Sequence, residues 1–326
     1  MRSTAYTALP AFGWQGLITR GSFRAMNTDV LILAGGMPQP ALVDAVERLF
    51  HTSEARFSRF LADSELCALN RAAGTDVPVS PEMIRILDRA LAMHRRTGGI
   101  FDPAILPGLE AAGYDRTFER VERDGPAAPP LFARDGSFAD VRVDHARGMV
   151  RAPLGMRIDL GGIGKGFTVD AAAELLRPGG SALVDAGGDI RAFGGGPDGD
   201  GWLIGVSDPL DAARLLDQVW LRDAALATST TAARRWIRGG ALRHHIIDPR
   251  TGAPAESDTV SVTVLAESAV EAEVLAKAAL VLGHSAGHTL LEAEHAAGLF
   301  VLAGGGVRTT AGWPGDTHHA EARDQL

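Results

Sequence analysis

Three observations predict an α+β or mixed α/β fold. Apolar runs of strand length end repeatedly in glycine turns that suit hairpins, capped amphipathic helices are interspersed among them, and no fixed-period repeat runs through the chain. With 326 residues and 46% hydrophobic composition the chain can bury a substantial core, as one large domain or as two joined lobes. A formal net charge of -8 argues against non-specific binding to nucleic acid. No run approaches the roughly 18 consecutive apolar residues of a membrane span. The single cysteine, Cys67, excludes an internal disulfide and a cysteine zinc cluster, and fits a reducing, cytoplasmic setting.

Taken in order, Val30-Leu31-Ile32-Leu33 reads as a first strand ended by Gly35-Gly36. From Ala41 a long helix shows Leu42, Val46, Leu49 and Phe57 on one face. A polar-aromatic loop, Phe57-Ser58-Arg59-Phe60, then leads to a short helix capped by Asp63 or Ser64. Ser80-Pro81-Glu82 opens a further helix that Gly98-Gly99 closes. Residues 119–140, with Pro126, Pro129 and Pro130, read as a surface excursion or a lobe boundary.

The stretch Ile158 to Asp170 reads as a strand, a tight turn and a helix start, with four glycines around Lys165. Such a turn suits a phosphate, because glycines allow close backbone approach and a helix N-terminus favours negative charge. It matches neither a Walker A loop nor a dinucleotide fingerprint, so an ordinary glycine-rich turn with a solvated lysine remains the alternative. Beyond it, Ala182–Ile190, Trp202–Val206, Val219–Ala227 and Val260–Leu265 are strand candidates. Ser268 to Glu271 forms a capping-box pattern before a helix stopped by Gly283, a second helix covers Leu290–Ala297, and Leu299–Leu302 returns as a strand.

Together these segments resemble the ApbE-type FAD:protein FMN transferase family. The likeness runs from about Phe23 to Trp313 through Phe57-Ser58-Arg59-Phe60, Asp63-Ser64-Glu65, Phe101-Asp102-Pro103, Asp159 to Gly166, Gly187-Gly188-Asp189, Thr228-Ser229 and His245 to Gly252. It implies a flavin transferase domain over residues 23–313, an N-terminal extension over 1–22 and a loose tail over 314–326. It also implies an activity that splits FAD, releases AMP and esterifies FMN to a Thr or Ser of a redox partner protein. By resemblance Met26, Phe60, Phe101, Asp102, Asp159, Lys165 and Ile247 would line the FAD site, with Lys165 neutralising the pyrophosphate. His245 stands where the family carries a histidine near the reacting phosphate, and an imidazole suits general-base work, although it could simply order the following turn. Asp248 reads as fixing that turn.

Three positions depart from the family's usual pattern. Met26-Asn27-Thr28 stands for Met-Gly-Thr, and Thr228-Ser229-Thr230 for Thr-Ser-Gly. Where Asp and, four residues later, Thr commonly hold Mg²⁺, this chain has Glu273 and Lys277. Glu273 and the Gly162 carbonyl remain possible ligands, whereas a lysine has no lone pair to give and repels a divalent ion. Lys277 is therefore expected to be partly buried and to supply the charge itself, against the alternative of a helical ion pair with Glu273. Two other functions stay open: an FAD-binding protein that does not transfer, and an FAD pyrophosphatase that uses water as acceptor.

Overall fold

The computed structural model describes residues 18–36, 40–121, 124–125, 137–197, 199–211 and 213–315. Most of the expected extension, much of 119–140 and nearly all of the tail lie outside these residues. The chain forms two compact units, one from 1–51, 165–230 and 258–326, the other from 52–164 and 231–257.

The first unit is built on an eight-stranded sheet in the order Ile18–Ala25, Thr28–Gly35, Ala182–Ala186, Asp189–Phe193, Ala224–Thr230, Thr259–Ala266, Ala297–Leu302 and Val307–Thr309. Every neighbouring pair is antiparallel. The first strand begins at Ile18, ahead of the expected domain start at Phe23. Alternating side chains feed two cores, as the period of two requires. Val184, Ala225 and Ala227 pack with Val46, Phe50, Val169, Ala172 and Ala272 from three helices, while Leu183, Ile190 and Leu226 pack with Trp202, Ile204 and Val219 of a separate hairpin. The predicted strand 219–227 is two strands, Leu215–Leu221 and Ala224–Thr230, because the chain reverses at Asp223, whose φ of 54° is left-handed.

Asn27 explains itself in the same way. Met26 and Asn27, at φ 51° and 58°, make the two-residue turn between the first two strands, a conformation that asparagine tolerates nearly as well as the glycine usual there.

The second unit carries the helices Glu65–Arg71, Pro81–Arg96 and Leu106–Ala111. Of the two expected caps for the first, Ser64 serves, its side chain accepting the Cys67 N–H. Ser80 caps the second by accepting from Met83, and the left-handed pair Gly98-Gly99 ends it. Short sheets complete the unit, among them one ordered Ala241–His244, Arg235–Arg238, Asp124–Gly125. Its core gathers Leu109, Ala112, Tyr114, Trp236 and Ile247, with Phe60 and Phe118 against it.

Residues 158–160, expected as a strand, belong to no sheet. The Asn70 side chain takes the place of a neighbouring strand: its amide donates to the Ile158 carbonyl at 2.9 Å and its oxygen accepts the Ile158 N–H at 2.8 Å. Both backbone groups are satisfied without a ladder.

Candidate active site

In the first unit, Lys165 lies in the opening turn of the helix Gly164–Leu176. Its ammonium donates to the Asp189 carboxylate and lies 3.5 Å from Glu273 Oε1. The other Glu273 oxygen accepts the Gly166 N–H at 2.9 Å. Glu273 and Asp189 are both buried. Burial is the main cause that pushes the Asp189 carboxyl up to about 7; Lys165 and Lys277 oppose it and Glu273 adds to it. Lys277 thus acts on the same cluster and is half-buried, as its apolar setting predicts. Asp185, at the other end of the Gly187-Gly188 turn, accepts the Gly188 N–H, and burial raises its carboxyl to about 6.

Gly166 has a packing reason for being glycine. A Cβ there would stand 2.6 Å from the Ala269 carbonyl oxygen, so only glycine lets the helix Gly164–Leu176 approach the helix Ala269–Leu282 this closely. Asp170 completes the junction by accepting the Ala269 and Val270 N–H groups at 2.8 and 3.0 Å. Met26 packs at the edge of the helix-side core. Thr230, in place of the family's usual glycine, is a strand residue whose hydroxyl donates to the Val260 carbonyl.

In the second unit the centre is Arg59. Its Nε lies 2.6 Å from Asp159 Oδ2, its Nη2 donates to the Tyr114 carbonyl at 2.7 Å, and its guanidinium sits 4.1 and 4.7 Å from the centroids of the Phe60 and Tyr114 rings. The Arg59 and Asp159 side chains are only 6% and 10% exposed. Asp159 Oδ1 also accepts the Gly161 N–H. The carboxylate expected to line the FAD site is thus held by the protein's own donors. Phe60 and Tyr114 meet edge to face, Tyr114 packs against Trp236, and the His245 ring stands 6.4 Å from the Tyr114 ring at 74°. Burial is the main cause that raises the Tyr114 hydroxyl above its ordinary value, so it stays protonated.

Phe101 and Asp102 are buried; the Phe101 carbonyl accepts His94 Nδ1–H at 2.9 Å and Asp102 caps Ala104. Asp102 and His94 also line a cleft of about 470 Å³ with Arg95, Ser137 and Arg250. Ile247 belongs to the aromatic core, and Gly162 lies in the turn before Ile163. Asp248 fixes its turn as expected, gripping Arg250 through Nε and Nη2 at 2.9 and 2.7 Å. Sequence reasoning gave neither Arg59 nor Tyr114 a site role and did not single out Trp236.

The sequence matches the ApbE family over residues 26–301. An FAD:protein FMN transferase of Treponema pallidum is 34% identical over 291 residues, covering 83% of this chain and 80% of that protein. The structure of the ApbE protein from Thermotoga maritima superposes with a TM-score of 0.80 at 28% identity, covering 90% of this chain and 97% of the other. The flavin transferase ApbE from Vibrio cholerae gives 0.75 at 25% identity, over 90% and 96%.

Proposed function

The chain belongs to the ApbE family, and on that premise we propose that it is an FAD:protein FMN transferase whose acceptor is a Thr or Ser hydroxyl of a redox protein in the cytoplasm. The observation that carries this reading is the family likeness over most of the chain, joined to a half-buried lysine and an aromatic-backed histidine at the motif positions. The acceptor oxygen attacks the FMN phosphorus, the bond from that phosphorus to the bridging oxygen of the pyrophosphate breaks, and AMP leaves with that oxygen. His245 takes the hydroxyl proton and passes it to solvent. Lys165 neutralises the charge of the pyrophosphate, which with positioning is most of what such a transfer requires. Phe60, Phe101, Asp102 and Ile247 shape the flavin site, Met26 adds an apolar contact, and Arg59 holds Asp159 in place.

The residues at the family's Mg²⁺ positions do not fit a divalent ion. Both Glu273 oxygens already face donors, the Gly166 N–H and the Lys165 ammonium, and Lys277 brings a second positive charge to the cluster. Among the described residues no group of three or more His, Cys, Asp and Glu gathers to hold a metal. Lys277 supplies the charge that the ion would bring, and Gly162 has no ligand role on this reading. No helix of the described residues is long and apolar enough to cross a membrane.

Incubating the protein with FAD and an unmodified flavin-carrying redox domain, then weighing the intact domain, tests the reading. A gain of one FMN with AMP release supports it, and persistence under chelator supports Lys277 as the substitute for the ion. FAD binding without any gain would favour the non-transferring binder, and free FMN without acceptor would favour the pyrophosphatase.

A further inference from the structure

Among the described residues the strand Ala241–His244 lies at one end of its three-stranded sheet and pairs only with Arg235–Arg238. Gly239 and Gly240, both left-handed at φ 59° and 74°, form the two-residue turn between them. Such a turn makes Arg238 and Ala241 a hydrogen-bonded pair, and by alternation Trp236 and Arg243 the next. Leu242 and His244 therefore point their backbone N–H and C=O groups away from the neighbouring strand. Among the described residues no backbone group outside the ladder bonds to the N–H or C=O of either, while the His244 ring bonds the Ala255 carbonyl and accepts the Ile246 N–H.

The two faces of this hairpin differ in chemistry. On the outer face Ile237 and Leu242 stand directly opposite each other, 42% and 58% exposed, with no buried neighbour to explain them. On the inner face Trp236 is buried in the aromatic core, beside half-buried Arg243 and Arg238. The strand has neither proline nor bulge to blunt it, and its one inward charge is Arg243. The chain bends at His245, the residue directly after the strand's last.

We propose that Ala241–His244 is the docking edge for the acceptor protein, whose extended segment adds to it as a further strand. Apolar side chains of that segment lie on Leu242 and toward Ile237, acidic ones face Arg243, and pairing along the edge carries the acceptor hydroxyl to His245. Main-chain hydrogen bonds supply the affinity and the alternating faces the selection. The inference rests on the transferase reading, and goes beyond it by naming the surface and the form of the partner.

The test uses the full chain and a short synthetic peptide that alternates valine and glutamate about a central threonine, read by amide hydrogen exchange. Exchange at Leu242 and His244 should slow at least tenfold, and a peptide with proline in place of valine should give no protection. In parallel, Leu242→Pro removes an outward N–H and no ladder bond, and should raise the KM for an acceptor domain about tenfold with kcat retained. Leu242→Ser, which keeps the N–H and trims the apolar face, should raise it less, and thermal melts of both variants report whether they fold. Unchanged exchange at Leu242 and His244, or a wild-type KM in a folded Leu242→Pro variant, overturns the docking edge. Protection without any FMN transfer would instead uphold the edge and refute the transferase reading.

Discussion

At the scale of single residues the structure turns on charges removed from water. Arg59 and Asp159 are almost fully buried and matched. Truncating one member of such a pair leaves the other uncompensated, so Arg59→Met should destabilise the protein by about 3–5 kcal/mol, read from the urea midpoint. An unchanged midpoint would mean that Asp159 is solvated. Lys277→Thr restores the family's usual residue; transfer in chelator should fall about 10–100-fold, and added Mg²⁺ should recover part of it. A variant indifferent to both would remove Lys277 from the mechanism. Asp185 gives the acid-range prediction. With its carboxyl raised from 3.8 to about 6 by burial, the native state holds a proton that the unfolded chain releases. That contribution is complete below 3.8 and is lost as pH rises through about 6. Asp185→Asn still accepts from Gly188 but does not titrate, so its thermal midpoint should fall less than wild type between pH 4 and 6. Parallel curves would rule this out. Lys165 was legible because a lysine among four glycines stands out locally, and Ser64 and Ser80 because caps are local signals. Arg59 was not, since it acts on the Tyr114 carbonyl 55 residues away and on Asp159, and neither pairing leaves a mark in local sequence.

Elements read from short-range signals came through best. The Ser268 cap, the helix it opens and its Gly283 stop match the observed Ala269–Leu282. The expected strand through Ile158 did not form because a side-chain amide, 88 residues distant, satisfies its backbone. The second helix came too late in the sequence reading, Leu290–Ala297 against the observed His284–Ala293, because its apolar residues crowd toward the C-terminal end. The glycines of the central turn suggested a phosphate cradle, yet Gly166 also answers to helix packing. Gly166→Ala would force a Cβ against backbone, and backbone cannot swing aside as a side chain can. A loss of about 2–3 kcal/mol in denaturant unfolding is expected. A neutral result would show that the two helices separate without cost.

For the molecule as a whole, the sequence left open one domain or two lobes, and composition could not decide because both units draw on the same apolar residue types. The chain forms two units, and neither is a continuous piece: the second needs 231–257 as well as 52–164. Trp236 and Ile247, which help to build its core, come from the later segment. A fragment of residues 52–164 alone should therefore lack the dispersed amide spectrum of a folded domain, whereas the same fragment joined by a flexible linker to 231–257 should regain it. A folded short fragment would contradict the shared core. The same interleaving bears on how the protein is made. Gly166 and Glu273 are 107 residues apart, so the ribosome delivers Lys165 and Asp189 long before the carboxylate that shares their lysine. Until the helix Ala269–Leu282 emerges, the nascent chain holds a half-built ionic cluster and an unsheathed sheet face, so its yield should depend on the pace of translation through the final quarter.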